Sequence, residues 1–163
     1  LPLDQLPALI RFHEIQAGDV FLLEDQIRVQ TLSGVHPGGS ILYRLEEATQ
    51  GSEPASVVYG LDCELTDAMF QKLKEFAGAC GLLICDACYT EAELLLRQGW
   101  GHGSIERCRK LRQASGAQQA LFMHYERSYQ DTFLREQEKI SLAQDPACLF
   151  AREGMALKVH GQG

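Results

Sequence analysis

Five side chains able to bind a cation or carry a proton stand at the ends of strand-like runs or in the loops beyond them: His36, Asp62, Asp86, His102 and His124. Imidazole and carboxylate are the ligands that borderline-hard divalent ions such as zinc and manganese take. The same groups serve as general acids and bases. Ser56-Val-Val-Tyr-Gly-Leu-Asp62 is a β-branched and aromatic run closed by a carboxylate, with Glu64 two residues further on. Asp62 can cap the next helix, form a turn or hold a cation, and Thr66 and Asp67 are better placed for capping. Gly81-Leu-Leu-Ile-Cys-Asp86 and Gln119-Ala-Leu-Phe-Met-His124 repeat the pattern of an apolar strand ending in a ligand-type residue. In Gly34-Val-His36-Pro-Gly-Gly39 the proline fixes one φ and the glycines allow close backbone approach, which suits a rigid ligand position and equally suits a plain hairpin loop. His102 lies between glycines in Trp100-Gly-His-Gly-Ser104.

These residues need elements that bring them to one place. Phe12–Ile15, Val20–Leu23 and Ile27–Leu32 read as short strands separated by turn signals at 17–19 and 24–26, an antiparallel meander in which His13 faces solvent. Ile41–Glu46 pairs with Val57–Leu61 across the polar loop Thr49–Pro54. Met69, Leu73, Phe76 and Ala77 recur at helical spacing within Thr66–Ala79. Thr90–Gln98 reads as a second helix stopped by Gly99, and Ser104 opens a third that Gly116 closes. Gln130–Ala143 is a long polar helix, and Leu149–Arg152 with Ala156–Val159 reads as a closing hairpin turned at Glu153-Gly154. Leu1–Arg11 is an extended approach with a short turn. Strands followed by helices predict an α/β domain, in which ligands collect at the carboxyl ends of strands.

With 163 residues, 45% hydrophobic and 23% charged, the chain has the composition of one globular domain. No apolar run reaches the roughly 20 residues of a membrane span. A net charge of −7 argues against a general nucleic-acid surface, which needs clustered lysine and arginine. The six cysteines fall mostly inside apolar patterns and read as reduced thiols of a cytoplasmic protein. Cys85-Asp-Ala-Cys88 has the spacing of a redox pair or half a zinc knuckle, but it has no second CxxC and ends an apolar strand, so packing is the better reading. The chain opens on Leu1 without a signal-peptide pattern, and an excised piece of a longer protein is one reading of that start.

His36-Pro-Gly-Gly with Tyr43-Arg44, Val58-Tyr-Gly-Leu-Asp62, Leu83-Ile-Cys-Asp-Ala-Cys-Tyr-Thr90, Trp100-Gly-His-Gly-Ser104 and Leu121-Phe-Met-His-Tyr-Glu-Arg127 together resemble the metallo-β-lactamase fold hydrolases. The branch they are most similar to is that of the cyclic-nucleotide phosphodiesterases and ribonuclease Z. The resemblance runs from about residue 1 to residue 159 and covers only the C-terminal half of that fold; the His-x-His-x-Asp-His loop of its N-terminal half does not occur in this sequence. It implies half of an αββα sandwich: a mixed sheet with helices on one face and an apolar second face that packs on the other half or on a second copy.

Residue by residue, the resemblance makes His36 a ligand of a first divalent ion, His124 a ligand of a second, and Asp62 the bridge between them. Zinc is the leading candidate and manganese the other. Asp86 and His102 match the carboxylate and histidine that handle protons beside the leaving group. Asp86 stands where the ribonuclease branch commonly has glutamate, and Cys85 where it commonly has histidine. Without a long basic arm, transfer RNA is an unlikely substrate and a small phosphodiester the expected one. This chain alone is expected to be inactive. The competing readings are a half-fold that serves as a non-catalytic interaction module, and a CxxC redox protein.

Overall fold

The computed structural model describes residues 7, 8, 10–47 and 54–161. Seven strands form one sheet in chain order: β1 Val20–Leu23, β2 Ile27–Ser33, β3 Ile41–Glu47, β4 Ser56–Gly60, β5 Leu82–Asp86, β6 Gln119–Met123 and β7 Cys148–Phe150. β1 to β4 are antiparallel neighbours, and β4 to β7 are parallel ones. The first half needs only short turns. Glu24 and Asp25, at φ 50° and 57°, give the three-residue β1–β2 connection the left-handed twist that matches paired strands. The parallel half needs crossovers, which the helices supply.

α1 (Asp67–Ala77) starts where Thr66 accepts a hydrogen bond from the Met69 amide, so Asp62 is not its cap. α2 (Glu91–Leu96) opens on a capping box between Thr90 and Glu93. α3 (Ile105–Ser115) is capped by Ser104 and closed by Gly116 at φ 72°, a left-handed position suited to glycine. α4 (Asp131–Gln144) packs near β7. Met69, Leu73 and Ala77 of α1 and Cys108 and Leu111 of α3 share a core with Val58, Leu83 and Phe122 of the sheet. Each fully buried leucine or phenylalanine there stabilises by about 1.5–3 kcal/mol relative to exposure. Arg44, on the same sheet face, donates to the Phe76 and Gly78 carbonyls at 3.0 and 3.3 Å and so holds the end of α1 against β3.

The register puts Tyr43, Tyr59, Ile84, Leu121 and Leu149 in one row across the opposite face. None of the five is buried, and Tyr59 is 41% exposed. The result is a mixed sheet with one face in a helix-covered core and the other apolar and open.

Two strand expectations fail. Residues 12–15 form no strand; the segment is tied to β2 near its end, where Thr31 donates its amide to the Asp19 carbonyl and its hydroxyl to that of Gln16. Alternating residues make a strand only where a sheet edge is free to receive them, and β1 already occupies that edge of β2. The closing hairpin is also absent: the turn at Gly154 forms, but 156–159 is not a strand and β7 pairs in parallel with β6. Val159 instead lies over Gly81, where a Cβ would meet its Cγ1 at 2.6 Å. The expected loop at 49–54 lies largely outside the described residues, as does most of the approach at 1–11.

Candidate metal centre

Because β4, β5 and β6 are parallel, and β2 runs in the same direction two antiparallel steps away, all four strands end at one edge of the sheet. His36 follows β2, Asp62 follows β4, Asp86 ends β5 and His124 follows β6. His102 arrives from the loop between α2 and α3, where Gly103 is so close to Asp86 that a Cβ would meet its carbonyl oxygen at 2.4 Å. Asp62 and His124 both have left-handed backbone, with φ of 51° and 65°.

His102 stands between the other two histidines, its ring centroid 5.5 Å from that of His36 and 5.0 Å from that of His124. Its Nδ1 is 2.9 Å from Asp86 Oδ2 and 4.0 Å from Asp62 Oδ1. His124 reaches both carboxylates, Nε2 at 3.3 Å from Asp62 Oδ1 and Nδ1 at 3.4 Å from Asp86 Oδ2. With both nitrogens facing acceptors the ring is favoured as imidazolium. The hydrogen bond to Asp86 raises its pKa above the usual histidine value, partial burial opposes the shift, and the charges of Asp86 and Asp62 add to it.

The Asp86 carboxylate is 1% exposed. The amides of Cys88, Gly103 and Cys63 donate to it at 3.3 to 3.4 Å. Asp62 is the open partner, its side chain 51% exposed and its carbonyl held by the Ser40 hydroxyl at 2.7 Å. His36 is set by its own turn, with Gly38 N–H donating to Nδ1 at 3.2 Å and Gly39 N–H to the His36 carbonyl at 3.0 Å. A ring that gives an ion Nε2 carries its proton on Nδ1, so the Gly38 contact opens if His36 ligates through Nε2.

Ligand-capable atoms of His36, Asp62 and His102 lie within 4.8 Å of one another, and so do those of Asp86, Cys88, His102 and His124. The expectation pairs His36 and His124 through Asp62 and keeps Asp86 and His102 apart as proton carriers; the geometry interleaves the two sets, with His102 in both. Imidazoles and carboxylates at this spacing fit zinc-class ions.

Residues without an assigned role in the sequence complete the site. Glu64, 7% exposed, accepts from the Gly99 and Gly101 amides at 2.8 and 3.2 Å, and its own amide donates to the Val35 carbonyl. It therefore ties the His36 turn to the His102 loop. Gly101, at φ +93°, leaves no room for a side chain beside His36, whose ring a Cβ there would meet at 2.3 Å. The signal for Glu64 is a carboxylate between Cys63 and Leu65, two apolar positions, which is paired or hydrogen-bonded if that segment is buried. The thiols are free and buried; burial pushes Cys63 up to about 11 and Cys88 up to about 12.

No family model matches the chain, and no curated protein matches it. Solved structures do. The metallo-β-lactamase fold protein YhfI from Bacillus subtilis superposes with a TM-score of 0.64 at 19% identity, over 86% of this chain and 53% of that one. The fold is a partial metallo-β-lactamase fold. Human tRNase Z, short form, superposes with a TM-score of 0.63 at 15% identity, over 86% of this chain and 46% of that one. A diphosphatase of the PhnP family covers 98% of this chain at 12% identity, with a TM-score of 0.56 and 54% of its own length matched. The chain thus spans about half the length of the metallo-β-lactamase fold proteins it resembles. Its described residues contain no helix long and apolar enough to cross a membrane.

Proposed function

We propose that this chain is the C-terminal half of a metal-dependent hydrolase that cleaves small phosphodiesters once the N-terminal half of the fold, with its own ligands, covers the open sheet face. The observation that carries the reading is the convergence of His36, Asp62, Asp86, His102 and His124 at one sheet edge, each from a different segment. The half-length match to metallo-β-lactamase fold proteins supports it.

In this reading His36, Asp62 and His124 hold two divalent ions, zinc first and manganese second, with Asp62 between them. When bound, such ions supply a nucleophile at neutral pH and stabilise the charge that develops on phosphoryl oxygens. The chain's own residues do the rest. Asp86 accepts from His102 Nδ1 and fixes the ring. Nε2 is left as the atom that gives a proton to a departing alkoxide. Asp86 is shielded from water and stabilises the imidazolium that this role requires. Glu64 keeps His36 and His102 in register. Six unpaired thiols support a reducing, cytoplasmic setting.

The test is reconstitution with an N-terminal half bearing the His-x-His-x-Asp-His loop, in zinc or manganese, on bis(p-nitrophenyl) phosphate. The chain alone is expected to be inactive and the joined protein active, with Asp62→Ala abolishing the activity. His102→Ala is expected to cost little on the nitrophenyl ester, whose leaving group needs no proton. On a cyclic nucleotide the loss should be about 10²–10⁴-fold, the range of general acid catalysis. Equal losses on both substrates would remove His102 as the acid. No hydrolysis from a folded, joined protein would leave a non-catalytic interaction module.

A further inference from the structure

Asp86 is a buried carboxylate whose only charged partners among the described residues are histidines: no lysine or arginine pairs with it, and His102 and His124 reach it at 2.9 and 3.4 Å. Both rings turn Nδ1 toward the same carboxylate oxygen, Oδ2, so three ligand-type side chains already converge on one point. The thiol of Cys88 completes the set, because its Sγ belongs to the same group of atoms within 4.8 Å of one another as Asp86, His102 and His124. Cys88 is held there by its own amide, which donates to Asp86 Oδ1 at 3.3 Å, so thiol and carboxylate are placed by one turn.

We infer that the chain, on its own, holds one zinc-class ion through Asp86, Cys88, His102 and His124. The dimensions fit. Tetrahedral zinc with bonds of about 2.0–2.1 Å to nitrogen or oxygen and 2.3 Å to sulfur separates its ligand atoms by about 3.3–3.6 Å. Of the two nitrogen-to-oxygen separations, that of His124 at 3.4 Å lies inside this range, and that of His102 at 2.9 Å is a hydrogen-bond distance that lengthens slightly when an ion replaces the proton. The charge balances as well: one carboxylate and one thiolate neutralise a divalent ion, leaving two neutral imidazoles. Binding releases the Cys88 proton and any proton on His124 to solvent. A thiolate selects zinc, cadmium or cobalt over magnesium and calcium. This set shares only His124 with the ligands proposed above for the joined protein, takes up the two residues that would there handle protons, and does not depend on that reading.

Cobalt(II) titration of the purified chain tests the inference without any assay of hydrolysis. A thiolate-to-cobalt charge-transfer absorption should rise to saturation at one equivalent, and zinc should bleach it. Cys88→Ser should abolish that absorption, while His13→Ala, at an exposed histidine outside both clusters, should keep it. Circular dichroism of Cys88→Ser establishes that it folds; should it not, the wild-type spectrum still decides, since no other thiol lies in the cluster. Saturable cobalt binding without the charge-transfer absorption, its survival in a folded Cys88→Ser, its loss in His13→Ala, or no cobalt binding would each overturn the assignment.

Discussion

Gly101→Ala measures how closely the His102 loop is fitted to His36. A Cβ built on Gly101 falls 2.3 Å from His36 Cδ2 and 2.7 Å from Pro37 Cδ, at a φ of +93°. Ordinary carbon contacts begin at about 3.5 Å, so the imidazole ring must retreat by roughly 1 Å or the loop must lift. Gly99 is the internal control: its φ is +82° and a Cβ there meets nothing within 4 Å. Gly99→Ala therefore carries only the backbone penalty, about 1–2 kcal/mol. Gly101→Ala carries that plus overpacking, about 1–3 kcal/mol more. Urea unfolding of both variants reads the difference directly, and in melting temperature it corresponds to roughly 2–12 °C for a chain of this size. The His36 ring resonances should shift in Gly101→Ala and stay in place in Gly99→Ala. If the two variants are destabilised equally, the loop does not press on His36 and the rigidity assigned to that ligand is wrong.

Two further outcomes follow from the titrating groups. His124 has a raised native pKa, so the metal-free protein gains stability from its imidazolium below the usual histidine value near 6.5. That gain is lost as pH rises through the higher native value; His124→Gln should flatten the stability–pH curve in that window, and an unchanged curve would remove the ring from its place between Asp62 and Asp86. The six thiols are buried, and burial also holds Cys80 up at about 11 and Cys148 at about 12. Ellman's reagent at pH 8 should therefore find no fast thiol in the native chain and six in denaturant, and one fast native thiol would contradict the packing described for that residue.

What the sequence made legible follows a physical rule. Asp62, Asp86 and His124 could be read because a buried strand is a continuous apolar run and its end is a change of residue type. Thr66, Thr90 and Ser104 could be read as caps because the helix N-terminus selects short oxygen-bearing side chains. Residues 12–15 and 156–159 misled because alternation describes a strand's own two faces but not whether a neighbour's edge is free. Glu64 received no role and Cys88 was read as packing for another reason. The partners of Glu64 lie 35 and 37 residues away, and the position of Cys88 beside His102 and His124 depends on the crossover from β5 to β6 and the loop inside it. Spacing brought the five site residues to one edge, but distances below 5 Å, and hence His102's place in both clusters, belong to the packing of loops.

The left-handed backbone at Asp62 and His124 sets stability against function at two positions. Aspartate and histidine tolerate that conformation better than most residues, yet glycine would adopt it without the penalty of about 1–2 kcal/mol that a Cβ incurs there. The substitutions that relax the chain most at these two points are therefore the ones that delete a carboxylate and an imidazole from the sheet edge. A library screened for heat resistance alone would be drawn toward glycine at both and would return a sturdier protein with an emptied centre. A screen meant to harden this fold while keeping its chemistry has to hold residues 62 and 124 fixed and look for its gains elsewhere, among the exposed apolar side chains of β1 for instance.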